Sequence, residues 1–412
     1  MKKRYKILLG LIILIAIWWI AAAPPADWQI GSAHNFEQTP KAIQDVTTED
    51  DFLKENIAKL PSEMKGYDDV AFQDNTAFAY LSGMDGWIWQ LNRETGKSTP
   101  WVDMPLIPAG MRFSPVNSKE LYARTARLGG KKANPNEKVG LYKVNVETKK
   151  VEPVLLKLPK TETTPVHTTF HPSKRPTFKL SELNDKNSRD FCLCNDMAIS
   201  EDGQRIYISE PVFSQRAAMG PGATIEAIGL APIGKMWQLD LANNTVSLIV
   251  DNYTFVDGML LETKDSIENA VFFTETIKFS MLKTYLSGDK AGTTEIVWEN
   301  LPGMLDGLER DKDGNIWTGI IKERSSTVNW VHANPWIKPF LVRVPQSLLP
   351  VSKKTGIMAF SPDGKIPLFY SLHDGSELYD ISVACPVGNE LFYPVFSEEL
   401  SGVFFSKNPL LQ

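Results

Sequence analysis

The sequence predicts an all-β protein, a six-bladed β-propeller preceded by an N-terminal transmembrane helix. A strand–turn–strand pattern recurs six times, and several copies are followed by a third strand of one kind, such as GWIWQLN from Gly86. An uncharged apolar run near the start of the chain predicts the helix. Radial repetition of strand groups is typical of a propeller, in which the innermost strand of each blade lines a central tunnel.

The composition suits a large folded domain. The chain has 412 residues, 43% of them hydrophobic, so it can bury a sizeable core as one large all-β domain or as two ordinary ones. Its net charge is -5, and no block of Lys and Arg follows the first six residues. Nucleic acids bind basic surfaces, so the composition argues against a nucleic-acid partner.

The N-terminal segment predicts a membrane anchor. Residues 1–6 carry four cationic side chains, and residues 7–23 form an apolar run with a Trp pair suited to the membrane interface. A cleaved signal peptide is the alternative, but Pro24 and Pro25 would obstruct cleavage after the preceding Ala residues. We expect residues 1–6 on the cytoplasmic side, a single transmembrane signal-anchor at 7–23, and the rest of the protein on the extracytoplasmic side.

The repeats define the domain organisation: a linker at 24–60 and the propeller at 61–407. Each unit has a polar entry, an alternating strand, a polar turn and a second strand, as in CNDMAISEDGQRIYISEP, where Asp202-Gly203 is a hairpin turn. The units begin at Tyr67, Pro108, Cys194, Val256, Leu305 and Ile381. They give roughly 57 residues per blade, more than common propeller repeats have. Long loops are therefore expected at 114–139, 155–190, 213–233 and 323–355.

Polar side chains stand at the entries of several units, directly before the innermost strands. They are Asp68 and Asp69, Asn195 and Asp196, Asp257, Asp306 and, as a further candidate, Asp380. If all six strands start at one face, these side chains meet there, and their mutual repulsion and desolvation would be costly without a cation. Any one of them alone reads as an ordinary turn residue. Their recurrence favours a metal site, and oxygen ligands suit Ca²⁺, with Mg²⁺ or another divalent cation as the alternative.

With these motifs the chain resembles the strictosidine synthase-like family, in particular its adipocyte plasma membrane-associated protein branch. It is more distantly similar to gluconolactonases and paraoxonase-type arylesterases. The stretches that carry the resemblance are FCLCNDMAISEDGQRIYISE, FVDGMLLE, LDGLERDKDGNIWTG, NPWIKPFLVRVPQSLLP and SLHDG, within about residues 60–407. The resemblance implies a six-bladed propeller with Ca²⁺ in its tunnel.

The resemblance also implies a set of metal ligands. Asn195 and Asp306 are identical to the family pattern, whereas Asp68 shortens a Glu by one methylene and Asp257 replaces an Asn. The histidine that serves as part of a base in paraoxonase-type arylesterases corresponds to Ala109 here. The predicted metal ligands are therefore Asp68, Asn195, Asp257 and Asp306, and the predicted catalytic base is Asp68 or Asp69.

Other residues are candidates for a substrate pocket near the tunnel mouth. His167 and His171 are four residues apart, but nearby Pro residues exclude the zinc-binding helix that this spacing would otherwise suggest. They either lie in an exposed loop or contact a substrate. Trp330, Trp336 and Phe340 could cover a substrate, rest on the bilayer or simply pack against the blades.

The three cysteines, Cys192, Cys194 and Cys385, are too few for a disulfide scaffold. Buried apolar thiols are the expected interpretation, and a bridge from one of the first two to Cys385 is the alternative.

Together these features predict a membrane-anchored, calcium-dependent hydrolase of small-molecule esters or lactones, in which the metal acts as a Lewis acid. The chain has no Gly-x-Ser-x-Gly motif, which argues against a serine hydrolase. One alternative is a non-catalytic, calcium-stabilised propeller that binds a lipid or a protein partner. The other is a condensing enzyme of the strictosidine synthase type.

Overall fold

Six antiparallel sheets, one for each predicted unit, are arranged as the blades of a β-propeller, and an apolar helix precedes them. The structure is a computed structural model that describes residues 2–127, 136–162, 164–212, 221–349 and 351–411. Both parts of the predicted fold, the six blades and the N-terminal helix, are confirmed.

The strands follow one another along the chain with little interruption. They are β1 (Ala58–Lys65); β2 (Tyr67–Phe72), β3 (Phe78–Gly83), β4 (Trp87–Asn92) and β5 (Lys97–Asp103) of blade 1; β6 (Ile107–Ser114), β7 (Asn117–Ala126), β8 (Leu141–Asn145) and β9 (Val151–Leu155) of blade 2; the short strands β10 (Lys157–Pro159), β11 (Thr168–Thr169), β12 (Thr177–Lys179) and β13 (Ser188–Asp190); β14 (Met197–Ile199), β15 (Arg205–Glu210), β16 (Gly234–Asp240) and β17 (Thr245–Tyr253) of blade 3; β18 (Val256–Lys264), β19 (Ile267–Glu275), β20 (Ser280–Tyr285) and β21 (Thr294–Trp298) of blade 4; β22 (Gly303–Arg310), β23 (Ile316–Glu323), β24 (Thr355–Phe360) and β25 (Pro367–His373) of blade 5; and β26 (Cys385–Val387), β27 (Glu390–Tyr393) and β28 (Ser401–Lys407) of blade 6.

The helices are short apart from the first. They are α1 (Lys2–Ala21), α2 (Lys41–Asp45), α3 (Phe52–Asn56), α4 (Pro221–Gly229), α5 (Ser326–Ala333) and α6 (Lys338–Leu341), with 3₁₀ turns at Pro172–Lys174, Leu180–Glu182, Thr276–Lys278, Pro335–Ile337, Gln346–Leu348 and Pro409–Leu411.

The hairpin of blade 3 shows how the local sequence specifies a blade. Strand β14 pairs with β15 in the register Met197↔Ile208, and the turn between them ends at Gly203, whose φ is +69°. The hydroxyl of Ser200 donates to Asp202 Oδ1 at 2.6 Å and fixes the turn. A turn that needs a positive φ favours Gly, so the Asp-Gly pair places the hairpin where the sequence predicts it.

The core lies between neighbouring blades. Tyr80 and Ile88 of blade 1, for example, pack with Met111 and Leu121 of blade 2 in one buried cluster. Similar clusters join the other blades around the ring. Each sheet is therefore apolar on both faces, which explains why its inner strands are nearly all buried.

The ring is closed by the N-terminal strand. Strand β1 pairs antiparallel with β28, with Ala58 opposite Phe405, and becomes the outermost strand of blade 6. The segment before β1 is also docked, because Asp51 caps α3 and both of its oxygens lie within 3.0 Å of His373 Nδ1 in blade 5. The expected linker at 24–60 thus contains two helices and the start of a propeller strand.

All innermost strands begin at the same end of the tunnel, which we call the entry face; the predicted metal ligands Asp68, Asn195, Asp257 and Asp306 lie there. Because strands alternate in direction, the connections β7–β8, β9–β14, β15–β16 and β23–β24 also open on this face. The expected loop at 114–139 is wrong at its start, because residues 117–126 form strand β7. Parts of the expected loops, residues 128–135 and 213–220, lie outside the described residues.

Candidate metal centre

The four predicted metal ligands line one cavity on the tunnel axis. Asp68, Asn195, Asp257 and Asp306 come from blades 1, 3, 4 and 5, and each is at most 8% exposed. The cavity has a volume of about 20 Å³, enough for one water molecule or one ion. Residues up to 238 positions apart therefore converge because each stands at the start of an innermost strand.

The contacts in this cavity leave a fully buried acceptor without a partner. Asn195 Nδ2 donates to Asp257 Oδ1, whose other oxygen accepts from Thr276 Oγ1 at 3.1 Å. Ser382 Oγ donates to Asp306 Oδ2 at 3.0 Å. Asn195 Oδ1, however, is buried without a hydrogen-bond partner. Buried acceptors are rarely left unpaired, and an oxygen ligand for a hard cation is a direct explanation for this one.

The electrostatics of the cavity also favour a cation. Burial raises the pKa of Asp68 to about 7 and that of Asp257 to about 6. Burial, together with the neighbouring Asp257 and Asp68, raises the pKa of Asp306 well above its usual range. A divalent positive charge would stabilise the ionised forms of these three carboxyl groups, because it compensates both their mutual repulsion and their desolvation. The donor set therefore fits Ca²⁺ or another hard divalent cation.

The second residue of each Asp-Asp or Asn-Asp pair has a different role. Asp69 Oδ1 accepts from Val70 N at 2.8 Å, and its Oδ2 accepts from Met111 N of blade 2 at 2.6 Å. Asp196 does the same in blade 3, where its Oδ2 accepts from Met259 N of blade 4 at 2.6 Å. Both carboxylates lie at the cavity wall, but they tie one blade to the next.

Blade 2 contributes a cation where the other blades contribute oxygen ligands. Arg124, 3% exposed on β7, donates from Nε to Gly110 O at 3.0 Å and lies 3.4 Å from Asp196 Oδ1. A Cβ on Gly110 would be 0.9 Å from Arg124 Nη2, so the guanidinium occupies the space that a side chain at 110 would fill. Arg124 Nη1 is buried and has no hydrogen-bond partner. Arg124 was not predicted from the sequence. The feature that could have pointed to it is the Ala-Gly entry of this blade, which lacks an acid.

In blade 6 the cavity is lined by Ser382 rather than by Asp380. Asp380 forms an ion pair with Lys322, whereas the hydroxyl of Ser382 contacts Asp306. Ser382 is the second residue of its unit, as Asp306 is of its own, and both line the cavity.

Neither candidate histidine lines the cavity: His167 N donates to Asn252 O at the entry end of β17, whereas His171 lies at the outer edge beside Gly292 in the β20–β21 turn. His167 Nε2 is 3.5 Å from Glu275 Oε1, and the His167 ring is 4.8 Å from that of Tyr253. Burial alone would raise the pKa of Glu275, but His167 and Lys278 hold it below its usual value. His171 is exposed and caps a 3₁₀ turn by accepting from Ser173 N. His167 is thus the histidine nearer to the site, since Thr276, next to Glu275, contacts Asp257.

The three candidate aromatic residues lie in the β23–β24 connection. Trp330 is on α5, Trp336 is in the following 3₁₀ turn and Phe340 is on α6. Their exposed fractions are 51, 62 and 48%, and they are not among the described residues that line the tunnel cavity.

A second cavity, of about 150 Å³, lies further along the tunnel. This cavity was not predicted from the sequence. Arg112 bridges Glu309 Oε1 at 2.6 Å and Asp69 Oδ2 at 3.3 Å there, and Cys385 Sγ is 3.9 Å from Asp69 Oδ1. Asp69, Glu309 and Cys385 are close enough to hold a metal, but Arg112 already supplies a positive charge among them. Burial raises the pKa of the Cys385 thiol, which therefore stays protonated.

Cys192, Cys194 and Cys385 are all buried and form no disulfide, which confirms the expected interpretation of these residues.

A third group, Asp51, His373 and Asp374, is also compact enough to hold a metal. His373 Nε2 accepts from Glu377 N at 3.2 Å, so Nδ1 carries the proton that it donates to Asp51. Both ring nitrogens are engaged, and the group serves to dock the linker.

Comparisons with known proteins support the sequence resemblance. No protein-family profile matches the chain. Protein STRICTOSIDINE SYNTHASE-LIKE 13 of Arabidopsis thaliana is 27% identical over 139 residues, 32% of this chain and 34% of that protein. Human adipocyte plasma membrane-associated protein is 22% identical over 169 residues, 40% of this chain and 39% of the relative. The chain thus spans only about a third to two fifths of these curated relatives.

Solved structures show the same fold. A gluconolactonase from Xanthomonas campestris has a TM-score of 0.53 at 10% identity, with 94% of this chain and 99% of that chain covered. A luciferin-regenerating enzyme has a TM-score of 0.52 at 10% identity, with 86% and 95% covered. At this identity the likeness concerns the fold alone. The chain is therefore similar in sequence to strictosidine synthase-like and adipocyte plasma membrane-associated proteins, and it has the propeller fold of gluconolactonase-type enzymes.

Proposed function

We propose that this protein is a calcium-dependent hydrolase of small-molecule esters or lactones, held to a membrane by α1. The observation that carries the proposal is the buried, unpartnered Asn195 Oδ1 beside three carboxyl groups with raised or strongly raised pKa values. The names of the structural neighbours, a gluconolactonase and a luciferin-regenerating enzyme, agree with chemistry on small molecules.

The proposed roles follow from the contacts of each side chain. Asp68, Asn195, Asp257 and Asp306 would hold the cation, which when bound supplies Lewis acidity toward a carbonyl oxygen. Asp68 is the better candidate for the base that takes a proton from water, because Asp69 already accepts hydrogen bonds at both oxygens. Arg124 Nη1 is free to donate a hydrogen bond to negative charge that develops in the cavity.

The membrane anchor is part of the proposal. The window Arg4–Ala21 of α1 has a mean hydropathy of 1.9, and none of it is buried against the rest of the protein. A 20-residue helix is about 30 Å long, close to the hydrocarbon thickness of a bilayer. The cationic residues before the apolar run favour an N-terminus in the cytoplasm and a propeller on the other side of the membrane.

The purified full chain tests the proposal in an assay with phenyl acetate and a panel of lactones, with Ca²⁺ or with EDTA. We expect turnover that EDTA abolishes and that Asn195→Ala and Asp306→Ala each reduce at least about 100-fold, because each removes a ligand. Asp313→Asn, an exposed carboxylate in the β22–β23 turn, is the matched control and should leave the rate unchanged. Turnover that is insensitive to EDTA would disprove the metal's role.

A non-catalytic role for the same cation is the second candidate. The tunnel cavity holds only one ion or water molecule, which also suits a purely structural metal that joins four blades. In that case Ca²⁺ would raise the melting temperature while no substrate in the panel is hydrolysed.

A further inference from the structure

One surface of the protein combines large apolar side chains with high exposure. Its members are Trp330, Trp336, Phe340, Leu348 and Val351, with exposed fractions of 51, 62, 48, 72 and 53%. All five belong to the β23–β24 connection on the entry face, and we call this surface the apolar platform. The other large exposed apolar residues of the described propeller and its loops, such as Val116 and Ile267, lie apart from one another in sequence and in different turns. Clustered exposed aromatic residues on a soluble domain indicate a binding surface.

The apolar platform is continuous with the end of the anchor helix. Arg343 Nε donates to Trp19 O at 3.0 Å, and the guanidinium lies 3.6 Å from the centroid of the Trp19 ring. The Trp19 and Phe340 rings are 5.0 Å apart in an edge-to-face arrangement. Trp18 and Trp19 are the last aromatic residues of α1, where a membrane-spanning helix reaches the interface. The platform therefore begins at the level at which the helix leaves the hydrocarbon.

The chain between the anchor and the propeller is too short to let the entry face move away. The helix ends at Ala21, and Trp28 Nε1 already donates to Ile225 O of α4 at 3.1 Å. Gly31 N then donates to Gly229 O at 3.0 Å. Seven residues span at most about 25 Å when fully extended. The entry face, and the tunnel that opens on it, is thus held close to the membrane surface.

We propose that the apolar platform inserts into the headgroup region of the bilayer that holds α1, and that the substrate is a lipophilic ester or lactone which enters the tunnel from that bilayer. The occupant of the platform is thus lipid. Trp and Phe side chains favour the membrane interface, and the Arg343 guanidinium stacks on the Trp19 ring. The second half of the proposal rests on the proposed hydrolase function, whereas the first half does not.

Nitroxide labels on the full chain in phosphatidylcholine nanodiscs test the platform without any assay of activity. The three native cysteines are buried, so Trp336→Cys and Leu348→Cys can be labelled selectively, with the unmodified chain as the background control. Val116→Cys and Ile267→Cys, 63 and 59% exposed in far-face turns, are the matched controls. We expect oxygen to relax the labels at 336 and 348 more than a water-soluble nickel complex does, and the reverse at 116 and 267. The same pattern at all four positions would overturn the platform.

The substrate class is tested with two esters, a long-chain nitrophenyl ester in vesicles and phenyl acetate in solution. We expect the double variant Trp330→Ser/Trp336→Ser to lose at least tenfold in rate on the vesicle substrate and less than twofold on phenyl acetate, and Ile267→Ser to change neither. Equal effects on the two substrates would overturn the lipophilic substrate. If the wild-type protein hydrolyses neither ester, the proposed hydrolase fails, and the nitroxide result alone decides whether the platform meets lipid.

Discussion

Asn195 is the residue on which the metal centre most depends. Its amide donates to Asp257 and its buried oxygen has no hydrogen-bond partner, so in the proposed site one neutral side chain both orders a carboxylate and serves as a ligand. An Asp at this position would add a further charge to a cavity in which three carboxyl groups already repel one another. The neutral amide at this entry therefore adds no repulsion to the cavity, whereas Asp257 supplies a negative charge.

We predict that Asn195→Ala weakens Ca²⁺ binding at least tenfold, which corresponds to about 1.4 kcal/mol. The variant loses a ligand and also leaves Asp257 without a donor. Titration calorimetry of the wild-type and variant chains measures the change. Asn243→Ala, in the exposed β16–β17 turn, is the control and should bind like the wild type. Unchanged affinity in Asn195→Ala would exclude this residue as a ligand.

Gly110 and Arg124 pack against each other, because the guanidinium occupies the space that a side chain at position 110 would need. We predict that Gly110→Ala destabilises the protein by about 2–4 kcal/mol, since its Cβ would be 0.9 Å from the guanidinium and would displace it from Asp196. The double variant Gly110→Ala/Arg124→Ala removes the clash. It should be more stable than Gly110→Ala alone in thermal unfolding, and a purely additive pair would contradict the proposed packing.

Among the secondary-structure elements, the segment before the propeller is attached to blade 5 through the carboxylate of Asp51. Asp51 caps α3 through Lys54 N and accepts the proton of the fully buried His373, so it joins the linker to blade 5. Strand β1 then completes blade 6. The N-terminal segment is therefore part of the folded unit and connects α1 to the blades.

We predict that Asp51→Ala lowers the free energy of unfolding by about 2–3 kcal/mol, because it removes an N-cap and leaves His373 without its acceptor. Chemical denaturation measures the effect. The exposed neighbour provides the control, and Asp50→Ala should stay within about 0.5 kcal/mol of the wild type. Equal effects of the two substitutions would show that the contact does not stabilise the linker.

For the whole molecule, the raised pKa values of the buried carboxyl groups couple stability to pH, and the proposed Ca²⁺ site would couple it to the cation as well. Without a cation, the raised pKa of Asp68, to about 7, and of Asp257, to about 6, contribute stability that is present below pH 4 and lost as the pH rises to about 7. A cation reverses this dependence because it binds the ionised forms. The same groups that oppose ionisation in the empty cavity thus favour metal binding at neutral pH.

We predict that saturating Ca²⁺ raises the melting temperature little at pH 5 and clearly at pH 8. At 100 times the dissociation constant the stabilisation is about 2.7 kcal/mol, or roughly 4 °C for a domain of this size. Scanning calorimetry of the full chain at both pH values, with Ca²⁺ or EDTA, measures the difference. An equal shift at pH 5 and pH 8 would contradict competition between protons and the cation, and no shift at either would contradict the site.

The periodic features of the chain were the predictable ones. The six units could be recognised because alternating strands and Asp-Gly turns leave a local pattern, and Asn195 and Asp306 were found because polar entries recur at equivalent positions. Ser382 stands at the equivalent entry position of the sixth unit but is neither an acid nor an amide, and Arg124 and Glu309 reach the tunnel from outside the entries, so this pattern did not reveal them. The register of strands across blades decides their neighbours, and no short-range pattern encodes that register.

The sequence by itself determined the number of blades, the apolar helix before them and the set of oxygen-bearing side chains at the strand entries, because these depend on local periodicity. Only the tertiary structure decided that Asp69 and Asp196 tie neighbouring blades, that Arg124 fills the space above Gly110, and that the apolar platform adjoins Trp19. Those contacts join residues far apart in the chain, and closure of the ring of sheets brings them together.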